Sequence, residues 1–217
     1  STYKLLGGSI GFYGSTLNTR QYATKGYLEK LIAQVFTGRE RFEPGNPQEG
    51  YSPSPQERQS WLQISYMKEA YHTMGPKFTL GWMAEALYSS KNFSENYTAT
   101  MMQAGEFAPT PHSKLMYNEA FRANQYVAAG IKPIYVLNDM FQFRTEFYGF
   151  TPIFPIKKNA LNKAYYGKAF SRFEYMGEVS VICHLPFGAI SAYVNHYSSP
   201  RREWNVGMTI GLSLIHI

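Results

Sequence analysis

Strict alternation of apolar and polar residues is the feature that most constrains how this chain can fold. From residue 203 to 214 the two residue types alternate for about a dozen positions, with the period of two that belongs to a β-strand. The stretch beginning at Phe141 alternates in the same way. Its aromatic positions are Phe141, Phe143 and Phe147, and its polar positions are Gln142, Arg144 and Glu146. This pattern predicts strands whose two faces meet different environments.

Composition limits the kinds of protein that could contain such strands. Aromatic residues make up 17% of the chain, with 18 Tyr and 15 Phe, and charged residues also make up only 17%. The charged share is low for a soluble surface and suits a lipid-facing band bordered by aromatic residues. The mean hydropathy is −0.33, and no apolar run reaches the ~18 residues of a transmembrane helix. That test does not detect transmembrane β-strands, because every second residue of such a strand faces the lumen.

The pattern predicts about ten strands in one domain covering residues 1–217. A long Pro- and Gly-containing loop is predicted over 37–59, and a tight turn over 74–76. The predicted strands cover residues 3–16, 22–36, 61–71, 78–88, 98–107, 125–138, 140–152, 170–185, 187–198 and 202–214. The strand pattern starts directly at the first residues without a signal peptide, so the sequence is interpreted as a fragment of a longer protein.

The directions of these strands create a conflict. Alternating up and down from the last strand places the 37–59 loop on the periplasmic side of a membrane barrel, where turns are usually short. Either one strand is missed or split in this assignment, or the barrel departs from the rule of short periplasmic turns.

Several motifs between Thr98 and Leu214 resemble a known family. They are Pro109-Thr-Pro-His-Ser113, Phe121-Arg-Ala-Asn-Gln-Tyr126 and Lys132-Pro-Ile-Tyr135. This region resembles the C-terminal outer-membrane β-barrel, of the bacterial surface antigen type, that follows patatin-like phospholipase domains. The resemblance implies an all-β fold: an antiparallel transmembrane β-barrel of sixteen strands, of which this chain would supply about ten.

The resemblance also implies a loop folded into the barrel lumen. In the wider superfamily that loop carries a Val-Arg-Gly-Phe/Tyr signature, which Arg122 and Tyr126 match at the arginine and the aromatic, whereas Ala-Asn-Gln, with Asn124 at its centre, replaces the glycine. A guanidinium in a partly dehydrated lumen requires a carboxylate partner. The expected partners of Arg122 are Glu146 first, then Glu174 or Glu178.

The implied function is that of a membrane anchor or exporter for a lipase domain absent from this chain, which by itself is expected not to be an enzyme and to need no cofactor. The implied location is the bacterial outer membrane, and the implied partners are outer-membrane lipid, lipopolysaccharide and the barrel assembly machinery. Homo-oligomerisation stays open. The net charge of +6 is assigned to lipid phosphates rather than nucleic acid, with Lys157, Lys158, Lys163 and Lys168 in one predicted loop.

Two alternatives to the membrane-anchor function stay open. The first is an outer-membrane enzymatic barrel with its own serine hydrolase site. Gly7–Gly11 fits G-x-S-x-G around Ser9, but a nucleophile elbow needs a helix after the serine. Asn195, His196 and Ser198 are a second candidate group. The other function is a soluble β-barrel that binds an apolar ligand. The five histidines and the single Cys183 have no metal-ligand spacing.

Overall fold

A computed structural model describes residues 2–41, 57–186, 188–199 and 204–212, most of which are β-strand. The long strands are β1 (Thr2–Ser15), β2 (Gly26–Arg41), β3 (Glu57–Thr73), β4 (Phe78–Ser89), β7 (Gln125–Val136), β8 (Phe141–Pro152), β11 (Glu174–Leu185), β12 (Gly188–Tyr197) and β13 (Trp204–Leu212). The short strands are β5 (Gly105–Glu106), β6 (Arg122–Ala123), β9 (Ile156–Lys158) and β10 (Ala164–Tyr166). Helix α1 covers Tyr97–Gln103, and two 3₁₀ turns cover Ser113–Leu115 and Glu119–Phe121.

The nine long strands form one antiparallel sheet in the order β1-β2-β3-β4-β7-β8-β11-β12-β13. Each long strand pairs with the next long strand along the chain, as in an up-and-down meander. The all-β class is therefore confirmed. Within the described residues β1 and β13 each pair on one side only, so the sheet is open.

The strands predicted after residue 125 are confirmed as β7, β8, β11, β12 and β13. The first strand and the two strands on either side of the tight turn, β3 and β4, are also confirmed. The predicted 37–59 loop is wrong at both ends, because β2 continues to Arg41 and β3 begins at Glu57. Residues 42–56 of that prediction lie outside the described part of the chain.

The predicted strand 98–107 is wrong: most of it is helix α1. Asn96 has extended backbone angles and its side-chain oxygen accepts a hydrogen bond from the Ala99 N–H at 2.7 Å, which caps the helix. Removing one strand from the series reverses the direction of every earlier strand. The connection between β2 and β3 then lies at the same end of the sheet as 90–124, 153–173 and 198–203, which resolves the conflict over loop direction.

The two faces of the sheet differ sharply in burial. One face, here called the inner face, is covered by residues 90–124, here called the inner segment. Phe107 and Phe121 of this segment pack against inner-face aromatic rings such as Phe150, with ring centroids 5.9 and 5.6 Å apart. The core is therefore between the sheet and its own connection from β4 to β7.

The connection from β1 to β2, residues 16–25, shows that the sheet is strongly curved. The Tyr22 hydroxyl lies 2.6 Å from the Ser191 hydroxyl on β12. β12 is six strands from β2, which is roughly 29 Å across a flat sheet, whereas the residues from Tyr22 to Gly26 span at most ~14 Å. Curvature must supply the difference. Gln21 also reaches β13, since a Cβ placed on Gly211 would clash with its side-chain oxygen.

Candidate functional site

The outer face, opposite the inner segment, is mostly apolar, with charged residues on the outer face of the first three strands. Phe147 is 55% exposed there, whereas its neighbour Glu146 on the inner face is 6% exposed. The same alternation runs through β4, β7, β11 and β13, so that apolar residues meet across strands, as Trp82, Ile131 and Phe147 do. Exposed outer-face residues include Phe12, Leu31, Ile64, Val127, Phe143, Val179, Val194, Trp204, Val206, Met208 and Ile210. This arrangement is the reverse of a water-soluble sheet.

The inner face holds charged side chains that are paired with each other. Arg144 on β8 is 3% exposed, and its Nε donates to Glu146 two residues away. Its other nitrogens donate to the Ala23 carbonyl oxygen at 3.0 Å and to the Tyr71 hydroxyl at 2.7 Å. The Tyr148 hydroxyl donates to the second Glu146 oxygen at 2.5 Å. These contacts satisfy a buried ion pair that would otherwise be very costly.

A second buried pair continues this network toward the first strands. The ammonium of Lys132 on β7 lies 3.0 Å from a carboxylate oxygen of Glu69 on β3, and both side chains are largely buried. Glu69 also accepts the Tyr71 hydroxyl, which links this pair to Arg144. Ionic contacts therefore cross the inner face of β3, β7 and β8.

Arg122 does not pair with the carboxylates expected from the sequence, so that prediction is wrong. Its Nη2 lies 2.6 Å from Glu106, which is directly opposite it in the β5–β6 ladder. Its Nη1 donates to the carbonyl oxygens of residues 101, 102 and 104, at the end of α1. Arg122 thus joins the helix and the short ladder within the inner segment, and this is its structural role.

Asn124 joins the inner segment to the β9–β10 hairpin, and Tyr126 on β7 packs against the inner segment, with its ring centroid 6.3 Å from that of Phe107. The Asn124 amide donates to the Lys91 carbonyl oxygen at 3.2 Å and to the Tyr166 hydroxyl at 3.0 Å. Tyr126 is 1% exposed, and its hydroxyl donates to Glu85 on β4 at 2.5 Å. The matched motif therefore does lie against the inner face, although its arginine contacts a different partner.

Glu174 and Glu178 have partners other than Arg122. Glu174 pairs with Arg172 at 2.8 Å, and Glu178 lies 2.8 Å from Nδ1 of His112, in the inner segment. The His112 ring stacks on Tyr193 with centroids 4.3 Å apart, and its Nε2 is 3.0 Å from the Tyr197 hydroxyl. His112 therefore fixes the inner segment to β11 and β12.

The residues of the serine hydrolase hypothesis are not brought together. Ser9 lies within the continuous strand β1, so no helix follows it as an elbow requires. Asn195 is buried on the inner face and contacts His112, whereas His196 is on the outer face beside Trp204. Ser198 donates to Glu174. Adjacent residues on opposite faces of β12 cannot share one catalytic centre.

Sequence reasoning missed the roles of His112 and Tyr22, whose contacts join parts of the chain that are far apart in sequence. Tyr22 has a positive φ of 55°, and burial raises the pKa of its phenol above the ordinary value. Its carbonyl oxygen also accepts the Gln142 amide at 3.2 Å. A histidine or tyrosine in a connection carries no periodic signal, so only the three-dimensional contacts reveal its role.

Comparisons with protein-family models, curated proteins and solved structures found no match to the chain. None of the helices in the described ranges has the length and apolar character to cross a membrane. Nor do the described residues bring together three or more His, Cys, Asp or Glu side chains that could hold a metal. The fold defines the chain as an all-β protein whose described residues form an antiparallel nine-stranded sheet that is open within those residues.

Proposed function

We propose that this sheet is part of the membrane-spanning wall of an outer-membrane β-barrel, with its outer face in contact with lipid. The observation that carries the proposal is the reversal of the two faces, with exposed Phe, Val, Ile and Trp outside and buried ion pairs inside. In water this outer face would be an apolar patch far larger than the few hundred Å² that soluble monomers expose. In a bilayer the same face is stabilised by lipid chains.

Strand length supports the same function. A transmembrane strand needs about 9–11 residues, and the nine strands of the sheet have between 9 and 17. Backbone groups in lipid must pair within the protein, which a sheet achieves when it closes into a barrel. Charged side chains on the inner face are then kept away from the hydrocarbon.

The connections support an orientation in the membrane. Three of the four connections at one end of the sheet, 74–77, 137–140 and 186–187, are short, whereas the fourth, 16–25, has ten residues and folds over the inner face. Three of the four connections at the opposite end are longer than any of these: the one from β2 to β3, the inner segment and 153–173. Outer-membrane barrels have short periplasmic turns and longer external loops. We therefore assign the end with the short turns to the periplasm and call the other end the long-loop end.

The inner segment covers the inner face of the sheet, so the barrel that we propose has a filled lumen on this side rather than an open pore. Buried aromatic residues and the His112–Glu178 contact hold this segment across the inner face. Following the resemblance to barrels that accompany patatin-like phospholipases, we propose that the wall anchors or exports a lipase domain carried outside this chain. The chain itself then supplies no catalytic serine.

Partitioning tests the proposal directly. We expect the refolded chain to float with phospholipid vesicles and to resist alkaline carbonate extraction. Phe147→Arg should weaken its folding in bilayers by about 2–4 kcal/mol, the cost of arginine on a lipid face. Tyr165→Arg, on an exposed aromatic of the β9–β10 hairpin outside the main sheet, is the matched control and should have little effect.

Other outcomes favour the other functions. A chain that stays in the aqueous fraction without detergent, with equal effects of the two arginine substitutions, would support a soluble barrel instead. Acyl hydrolysis by the chain that is lost in Ser9→Ala or His196→Ala would support an enzymatic barrel.

A further inference from the structure

Three basic side chains form a row across the first three strands. Lys4 on β1 is directly opposite Arg39 on β2, and Arg39 is directly opposite Arg58 on β3. All three are exposed, and their alternation with neighbouring residues places them on the outer face. This group is here called the basic row.

Among the described residues, no carboxylate forms an ion pair with the basic row. Like charges directly opposite each other on neighbouring strands are destabilising. Of the side-chain contacts in the described part of the chain, the row makes one hydrogen bond, from Arg58 Nε to the Thr37 hydroxyl at 3.4 Å. Three cations arranged in this way would be stabilised by an anion from outside the sheet.

The position of the row indicates what kind of anion it meets. It lies at the long-loop end of the outer face, one row beyond Leu6, Thr37 and Ser60. Further rows toward the middle of the strands contain Val35 with Leu62, and then Ile10 with Ile64. An open depression of about 640 Å³ at the row is lined on the outer face by Lys4, Leu6, Thr37, Arg39 and Arg58. Leu5 and Gly38, which belong to the inner face, also line it. A ligand there meets cations at one end and apolar side chains below them.

We propose that the basic row binds the phosphorylated headgroup of an outer-leaflet lipid, whose acyl chains lie along the apolar rows beneath it. This proposal rests on the membrane function and orientation proposed above. Arginine forks suit phosphate oxygens because each can donate two parallel hydrogen bonds. A lipid supplies in one molecule both the negative charge and the apolar surface that this part of the sheet lacks.

Lipid binding by the chain in detergent micelles tests the site. The probe is lipid A, a diphosphorylated and acylated glucosamine disaccharide, titrated against fluorescently labelled protein. The variant Lys4→Gln/Arg39→Gln/Arg58→Gln should bind at least tenfold more weakly, because each basic residue near an anionic lipid surface contributes about a factor of five. Its matched control, Arg20→Gln/Lys25→Gln/Lys77→Gln, makes the same charge change at exposed positions of the short-turn end.

Further measurements distinguish a lipid headgroup from free phosphate as the ligand. They also show whether a negative result contradicts the site or the membrane function. Dephosphorylated lipid A and inorganic phosphate alone should each bind the unchanged protein much more weakly than lipid A. Equal losses in the two triple variants would overturn the site, as would full competition by free phosphate. Circular dichroism checks that both variants fold. Failure of the unchanged chain to enter vesicles would instead contradict the membrane function.

Discussion

Arg122 and Arg144 show that a buried arginine is stabilised by the nearest carboxylate that the backbone brings to it. Arg122 pairs with Glu106 across the two-residue ladder β5–β6, and Arg144 pairs with Glu146 on its own strand. Glu146 therefore has a partner before Arg122 could reach it. Each pair fixes a different contact: one within the inner segment and one between the sheet and the 16–25 connection.

Charge reversal tests the Arg122 pair. Arg122→Glu places two carboxylates opposite each other and should lower the free energy of unfolding by about 2 kcal/mol, given that the pair is only partly buried. Adding Glu106→Arg should recover a good part of this loss, whereas adding Glu146→Arg should not. The measurement is urea unfolding in detergent micelles, followed by tryptophan fluorescence. If Glu146→Arg restored the stability of the Arg122→Glu variant and Glu106→Arg did not, the observed pairing would be contradicted.

A second prediction compares two Arg–Glu pairs with the same spacing. Arg144→Met leaves Glu146 buried without its cation and should cost about 3–5 kcal/mol. Arg172→Met removes the partner of Glu174 in a more exposed pair and should cost less than about 1 kcal/mol. Unfolding of both variants in micelles gives the comparison. Similar losses would mean that burial does not govern the strength of these pairs.

The sequence predicted some of the interior charges, such as Arg144 and Glu146, but not the buried Lys132–Glu69 pair and not how the charges pair. Gln142, Arg144 and Glu146 fall on one face because of the strand period, and the structure confirms that face as buried. The partner of Arg122 depends on how the chain folds back between residues 104 and 123, which no periodicity encodes. The contacts of Tyr22 depend likewise on the curvature of the complete sheet.

The strands and the inner segment follow different rules at the scale of whole elements. Strands with one apolar and one polar face show an alternating pattern in the sequence, and the five strands after residue 125 lie close to their predicted bounds. The sequence pattern predicts a strand in place of α1, because a helix of seven residues is too short to show a clear helical period. Its signal was the capping residue Asn96 before a run containing Ala99, Met101 and Met102.

Removing the cap tests the importance of α1. Asn96→Ala should lower the free energy of unfolding by about 1 kcal/mol, because the Ala99 N–H loses its acceptor. Asn92→Ala, at an exposed position before the helix, should change it little. Protease sensitivity of residues 90–124 provides an independent measurement. Equal effects of the two substitutions would show that the cap does not stabilise the inner segment.

At the scale of the whole molecule, the two edges of the sheet are its least satisfied parts. In an antiparallel pair only alternate residues of an edge strand direct their N–H groups to the neighbour. We expect every second amide of β1 and β13 to exchange rapidly with deuterium in micelles, while the amides of β4, paired on both sides, stay protected. Hydrogen exchange read by NMR measures this. Uniform protection along β1 would mean that its free edge is occupied.

Counting strand directions limits how those edges can be joined. Nine strands, each antiparallel to its neighbour, leave β1 and β13 pointing the same way. If they met directly, the seam would be a single parallel pair in an otherwise antiparallel cylinder. A second copy inserted in the same orientation would create two such seams. An entirely antiparallel cylinder therefore needs an odd number of additional strands, and seven of them would bring the total to the sixteen that the family resemblance implies.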